Sequence, residues 1–581
     1  MTITGGYLSL RTRAVKAPEH RSAHTGAVDR PLDGASLEAL NWIQKTRWTL
    51  NREVLGVVEA AVKDGHALAS IPPANNLPEL PRLDDAAYQA LKSDKTPEGK
   101  KALAAYIKPR ADIYSKNKQM EGERFKLFRM LDLGQQLAKA DVLWFPHTCD
   151  FRGRVYPTAQ DLHTQGDSLV KGLLTFAEKQ RIGANGQWWL YVALANAFGQ
   201  DKIALQARAD WTSDNLSHIL ATARDPLACQ DFWANDKVDS PWEALALCFE
   251  IARMADHEAM YGSRAVASFE SHIPVRLDAT CSGIQHLSAM MKDPLSAACV
   301  NVLPTGKRED IYGDVAKVAL QRIALDAVGP DEAKRLLAQK WLGKVERKTV
   351  KRAVMTTPYG VTAPGIKDQL IADGFCDHFE RGVERYQAAE YLKDVVIAAL
   401  DANIGAPRAA MNYFQEVAQS LAEREIPLAW TTPAGFTVRQ AYRKSDLKRI
   451  ETLLGSKLVK FQVSVPNEEA GLDRRKQKSS AAPNVVHSYD AAHLCLTAQA
   501  MKAEGIRDMA FVHDSFGTHA GHVDTLNHHI RDQFVQMYAG PALEQWRESV
   551  MHHAGVDDVP ALPTLGSLDV TCVRDSEFFF S

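Results

Sequence analysis

Residues 274–290 read PVRLDATCSGIQHLSAM, and residues 509–520 read MAFVHDSFGTHA. In the first, an apolar run from Ile273 to Leu277, broken by Arg276, leads into Asp278. A turn of small residues and an amphipathic stretch follow, so the segment predicts strand, turn and helix. The second predicts strand, turn, strand, with His513 and Asp514 at the turn. Each aspartate alone has a plain reading: Asp278 as the cap of the following helix, Asp514 as a polar turn residue. Together they have another. Two carboxylates, each following an apolar strand, can converge on a pair of Mg2+ ions, because oxygen ligands suit Mg2+. Two-metal sites activate an attacking oxygen and stabilise a leaving one in phosphoryl transfer.

A third segment, KWLGKVERKTVKRAVMTTPYGVT (340–362), places Lys340, Lys344, Arg347 and Lys351 at spacings of four, three and four. On one continuous helix these form a cationic stripe. A solvated face is the ordinary reading of such a run. Here the stripe runs into Val354, Met355 and then Tyr359-Gly360, so a triphosphate on the stripe would bring its base and sugar near Tyr359.

Outward from these segments the chain is ordinary. It has 581 residues, 45% hydrophobic and 24% charged, which excludes a mostly disordered chain and gives a prior of roughly four lobes. Net charge is −2, so any grip on phosphates must come from local clusters. The eight cysteines form no CxxC pair and are too sparse for a disulfide framework, so free thiols in a reducing compartment are expected. Met1 to Gly5 lacks a secretory n-region, and no apolar run approaches the roughly 18 residues of a membrane span. Phosphate-loop, Rossmann, zincin and nucleophile-elbow motifs are absent.

Residues 1–35 read as a loose leader. Leu37, Leu40, Ile43, Leu50, Val54 and Val57 then share one helical face, and a basic helix is expected over about 98–139. Strands and turns are expected over 142–171 and helices over 185–270.

At the three segments the sequence closely resembles the single-subunit RNA polymerases of bacteriophages and mitochondria. DATCSGIQH (278–286) is similar to that family's motif A, Arg347-xxx-Lys351 with Tyr359-Gly360 to motif B, and HDSFGT (513–518) to motif C. WFPHTCDFRGRVY (144–156), KGLLTF (171–176), DIYG (310–313), TTPAGF (431–436) and APNVVHSYDAAHL (482–494) resemble further family segments in family order. The resemblance implies an α+β, mostly helical right hand with a small antiparallel palm sheet. The thumb-like lobe would span 36–140. The palm would span 141–306, with a helical insertion at about 180–270, and resume at 488–581 with a C-terminal foot. The fingers would span 307–487, including a specificity-type hairpin at about 442–473.

The resemblance also implies roles. Asp278 and Asp514 would bind two Mg2+ ions, with the Ala279 carbonyl as a further ligand. Arg347 and Lys351 would hold the incoming ribonucleoside triphosphate, and Lys351 would protonate the leaving pyrophosphate. Tyr359 would close the nucleotide site and, with His487, read the ribose 2′-OH; Tyr312 would lie beside it. Arg154 and Lys171 would contact the duplex of DNA template and nascent RNA. Lys460, Gln462 and the basic run 474–478 would belong to the hairpin. Phe578 to Phe580 would form the aromatic foot, with core packing as the plain alternative.

Ala279-Thr280 stands where a Gly-Ser pair is familiar, and Pro358 is expected to end the motif B helix early. The family pattern is entered well inside its usual length. The expectation is therefore of a chain without the N-terminal promoter domain, needing a partner protein or a pre-melted template, in the cytoplasm of a bacterium or phage-infected cell. A DNA polymerase or primase-like enzyme of the same architecture is the alternative. Cys281-Ser282-Gly283, where related DNA polymerases carry a Glu against the 2′-OH, leaves room and favours RNA synthesis. A catalytically dead binding protein is disfavoured by the retained Asp278, Asp514, Arg347 and Lys351.

Overall fold

The computed structural model describes residues 15–16, 34–379, 382–455, 457–467 and 470–581. Its centre is the antiparallel pairing of strand Pro274–Asp278 with strand Ser515–His519, in a register running from Ser515 opposite Asp278 to His519 opposite Pro274. Val275, Leu277 and Phe516 from this pair are buried. The Val512–Ser515 bridge and the Ala510 N–H to Gly517 carbonyl bond (2.8 Å) extend the pair backwards. The expected strand–turn–strand thus forms, its first arm as bridges rather than a full strand.

Helix Ser282–Met290 follows the first strand and is buried along its whole length. Two long helices, Val383–Glu423 and Arg474–Ala503, pack against it and against each other. The first bends at Ile404, just before Pro407, whose missing N–H interrupts the helical ladder. Its far end meets strand Leu428–Thr431 and helix Ala542–Ala554 in an aromatic cluster of Tyr413, Phe414, Trp430 and Trp546. The remaining sheets are two- or three-stranded, and all pairings but Val15–Lys16 on His147–Asp150 are antiparallel among the described residues. The chain is therefore mostly helical with small antiparallel sheets, as expected. All eight cysteines are free thiols. No described helix is long and apolar enough to cross a membrane.

The structure corrects several local expectations. The apolar face drawn from Leu37 to Val57 is three elements: helix Gly34–Ile43, strand Trp48–Leu50 and helix Arg52–Lys63. The strand pairs with Leu174–Phe176, a distant partner that overrides the local period, and Asn51 caps the second helix through the Val54 N–H. The cationic stripe is broken too. One helix ends at buried Trp341, Gly343 turns the chain at φ +69°, and a new helix, Arg347–Thr356, starts behind a Glu346–Thr349 capping box. Lys340 pairs with Glu384 and belongs to the earlier helix. The basic run 474–478 opens helix Arg474–Ala503, capped by Asp473, and is no part of the hairpin. That hairpin consists of strands Ser445–Leu454 and Lys457–Pro466. The expected helix over 98–139 forms as Pro97–Leu137. The leader, residues 1–33 apart from Val15–Lys16, lies outside the described residues.

Trp546 is the hub of the distal aromatic cluster and is 1% exposed. Trp546→Ala should therefore cost about 3–5 kcal/mol of unfolding free energy, the usual range for emptying such a site. Urea denaturation reads it, and a loss below about 1 kcal/mol, no more than an average point mutation, would show that the cluster is not a stability centre.

Candidate active site

The strand register sets Asp278 opposite Ser515, one residue from Asp514. The Ala279 N–H donates to the Asp514 carbonyl (3.2 Å), so the two aspartates lie side by side at the open end of the pair. Asp278 is exposed, and its carboxylate has no ion-pair or hydrogen-bond partner among the described residues. Asp514 is half-buried and accepts from Ser282 Oγ at 2.8 Å. Asp278 is no helix cap: Cys281, in the left-handed region at φ 59°, holds the N-cap position.

The C-terminal aromatics close one side. Ala279 bridges Phe580, and the Ser581 N–H donates to the Asp278 carbonyl (3.2 Å). Phe578, Phe579 and Phe580 are all buried. They are core, and that core is the wall of the carboxylate site.

The cationic helix is tied at both its ends to the segments around the carboxylates. At its start, Arg347 Nε pairs with Asp310 Oδ2 (2.6 Å), and the guanidinium lies 4.9 Å over the Tyr312 ring. The Tyr312 hydroxyl hydrogen-bonds Cys281. At its end, Pro358 packs on Gly283 so closely that a Cβ at 283 would come within 2.7 Å of it. The room that glycine offers there is filled by protein. The helix stops at Thr356, as Pro358 requires. Lys351 is exposed and has no ion-pair partner among the described residues.

Tyr359 stacks on His487 with ring centres 4.7 Å apart and planes 31° off parallel. Its hydroxyl hydrogen-bonds Ser282, so Tyr359 connects through Ser282 to Asp514. Burial, then the Asp514 and Asp490 charges, push that hydroxyl well above the ordinary tyrosine range, so it stays protonated. Burial, then the charges of Arg154 and Arg152, push His487 far below the ordinary histidine range, so it is neutral. Arg152 Nη1 lies 2.7 Å from His487 Nδ1. Arginine can only donate, so Nδ1 accepts and Nε2 carries the ring proton.

Beneath this pair runs a polar layer. Arg152 pairs with Asp150 (2.6 Å), and Arg154 pairs with Asp490. Burial pushes the Asp490 carboxyl up to about 7, against the pull of Arg154. The Arg154 guanidinium is thus committed to Asp490 inside the protein, not turned to an open groove. Lys171 Nζ stands 4.0 Å from Glu243 Oε1, at a cavity of about 110 Å³ that Asp278 also lines. Lys460 and Gln462 lie on the exposed hairpin, where Lys460 pairs with Glu451 (2.9 Å) and Gln462 faces Arg449. No described hydrogen bond or ion pair joins that hairpin to the two aspartates.

The structure therefore gathers Asp278, Ala279, Asp514, Tyr312, Arg347, Tyr359 and His487 through a connected set of contacts. It adds Ser282, Arg152, Asp310, Asp490 and Glu243, which sequence reasoning did not single out. Ser282, Arg152, Asp310 and Asp490 stand inside segments already quoted; nothing local marks Glu243.

The sequence model of the DNA-dependent RNA polymerase family matches residues 180–559. DNA-directed RNA polymerase 2 (chloroplastic/mitochondrial) of Arabidopsis thaliana is 33% identical over 99% of this chain and 55% of its own length. DNA-directed RNA polymerase 1 (mitochondrial) of Nicotiana sylvestris is 32% identical over 99% of this chain and 56% of its own. T7 RNA polymerase of Escherichia phage T7 is 32% identical over 94% of this chain and 64% of its own. The chain spans about half the length of the plant relatives. With a matching family model over most of its residues and relatives above 30% identity along nearly all of it, the chain belongs to the DNA-dependent RNA polymerase family.

Proposed function

We propose that this chain adds ribonucleotides to a nascent RNA on a DNA template, with Asp278 and Asp514 as its catalytic carboxylates. The observation that carries the reading is the pairing of strands 274–278 and 515–519, which sets these two side by side with the Asp278 carboxylate free of any partner among the described residues. The donor set fits a hard divalent cation. It is all oxygen, and no described group of three or more His, Cys, Asp or Glu encloses it. Water and substrate phosphates would complete the coordination, as is the habit of Mg2+. Two Mg2+ ions held by Asp278, Asp514 and the Ala279 carbonyl would supply charge neutralisation at the attacking and leaving oxygens.

The chain's own residues do the rest. Lys351, exposed and without an ion-pair partner among the described residues, meets the triphosphate and gives its proton to the departing pyrophosphate. Arg347, held over the Tyr312 ring, presents a planar fork to the same phosphates. Tyr359 closes on the base and sugar, and its link through Ser282 to Asp514 ties sugar recognition to the carboxylates. His487 offers its Nε2–H beside that ring. Lys171 lies at the cavity beside Asp278, where the end of the product would lie. On the hairpin, Arg449, Lys460 and Gln462 share one face and supply donors for base edges or phosphates. Residues 36–140 then act as thumb, 141–306 and 488–581 as palm, and 307–487 as fingers. DNA synthesis is the less favoured reading, since the family is that of RNA polymerases.

Asp278→Asn and Asp514→Asn each remove one charge and keep the shape. Both should abolish extension of a pre-annealed RNA–DNA scaffold in Mg2+ while leaving the melting temperature within a few degrees. Retained activity within about tenfold of wild type, a barrier change of only ~1.4 kcal/mol, would sink the assignment.

Tyr359→Phe keeps the ring on His487 and cuts the link to Ser282. Extension should persist, while the preference in kcat/KM for a ribonucleotide over its deoxy analogue falls at least about tenfold, as when a polar group loses its partner. An unchanged ratio would remove Tyr359 from sugar selection.

A further inference from the structure

Arg276 poses a problem for the carboxylate site that the structure itself answers. Side chains alternate along a strand, so Arg276 and Asp278 project from the same face, about 7 Å apart along the chain. A long guanidinium beside an exposed carboxylate is set up for a charge-assisted pair. Yet the Asp278 carboxylate has no partner among the described residues. Arg276 Nη1 instead lies 2.7 Å from Glu243 Oε2, both side chains largely buried. The other Glu243 oxygen faces Lys171 Nζ at 4.0 Å. All four residues line the same cavity, where Asp278 and Glu243 are the acids.

We propose that Glu243 is a positioning residue: it holds Arg276 off Asp278 and so keeps that carboxylate free for a divalent cation. The inference rests on the reading of Asp278 and Asp514 as the metal-binding pair.

The arrangement is rigid on both sides. Glu243 sits in the first turn of helix Pro241–Tyr261, a favourable end for a negative charge. Its neighbour Trp242 is fully buried, donates its N–H to Ser168 Oγ (3.2 Å) and donates its indole N–H to Ser70 Oγ (3.0 Å). Gly172 admits that backbone: a Cβ at 172 would stand 2.6 Å from the Trp242 carbonyl oxygen. Opposite Arg276, Gly517 does the same for the arginine stem, since a Cβ at 517 would stand 3.0 Å from Arg276 Cγ. The stem is laid over Gly517 and its head is steered to Glu243. Without the Glu243 charge, Asp278 is the remaining acid in the cavity, and a guanidinium on it competes directly with a metal ion.

The test uses the full-length chain and Mn2+ as probe, with free Mn2+ read by electron paramagnetic resonance without nucleotide or template. Glu243→Gln should weaken Mn2+ binding at least about fivefold and raise, by a similar factor, the Mg2+ needed for half-maximal extension. Adding Arg276→Gln to it should restore binding to within about twofold of wild type, although Lys171 stays unpaired. Arg276→Gln alone should bind Mn2+ at least as tightly as wild type, and this variant decides the matter even where Glu243→Gln folds poorly. Wild-type affinity in Glu243→Gln, no recovery in the double variant, or weaker binding in Arg276→Gln alone would each overturn the proposal. Asp278→Asn is the separate control. If it binds Mn2+ as tightly as wild type, the metal reading itself has failed, whatever Glu243 does.

Discussion

Asp278 and Asp514 are two like charges fixed side by side, and the surrounding structure supplies what keeps them there. Neither can relax away without breaking the pairing of strands 274–278 and 515–519. Adjacent like charges repel, so the framework must overdetermine their positions. It does so with apolar burial behind and backbone bonds at the edge. Leu277 and Phe516 are sealed in the core, and Phe516 meets Phe580 at 5.3 Å. Ser581 takes the Asp278 carbonyl, while Gln285 donates to the carbonyls of Val300 and Phe579, both at 3.0 Å. The last residues of the chain are thus part of the site's architecture, although none carries a reactive group.

The second constraint is the polar layer of Asp150, Arg152, Arg154, His487, Asp490 and His513. Buried charges are tolerable only when paired, and here each arginine has a carboxylate. The pairing has a chemical result. Loss of solvent, and then two fixed cations beside two half-buried imidazoles, keep both rings neutral; His513 is pushed down to about 3 by burial and by Arg154 and Arg152. His513 sits at φ 53°, an uncommon conformation for a side chain of its size, with its ring edge-on to Tyr156 at 4.9 Å. That turn brings Asp514 beside the end of the Asp278 strand. Its strain is compensated by packing, as is usual where a backbone is bent to place a functional group.

The core of the site was legible because its signals are local. Short apolar runs closed by turn residues mark the two strands, and each aspartate follows such a run directly. Helix Pro97–Leu137 was legible for the same reason. What failed depended on partners far away in sequence. The stripe from Lys340 to Lys351 satisfies a helical period, yet Gly343 and the Glu346 cap split it, since Trp341 and Arg347 pack in different places. The Leu37–Val57 face also satisfies the period, but strand Trp48–Leu50 finds Leu174–Phe176 more than a hundred residues on. Arg154 reads as a free cation until Asp490 is brought beneath it. Glu243 has no signal at all, because its meaning lies in being near Arg276 and Lys171.

On the polymerase reading a net charge near zero has to be reconciled with binding phosphates, and the ion pairs do so. Arg347 rests on Asp310, Arg276 on Glu243 and Lys460 on Glu451. These cations are positioned by a carboxylate before any substrate arrives, at the expense of part of their attraction for it. A half-exposed pair such as Arg347–Asp310 is worth little in free energy, so a polyanion can take over the guanidinium at small cost. A largely enclosed pair such as Arg276–Glu243 resists exchange, because separating it leaves a charge in a poorly solvated cavity. Lys351 stands outside this scheme, exposed and with no ion-pair partner among the described residues, on the helix that leads to Tyr359. Exposure thus sorts the cations into those that can change partners and those that hold the carboxylates' surroundings constant. On the polymerase reading, the first group meets the phosphates of nucleotide or nucleic acid and the second keeps the metal-binding face unchanged through each addition.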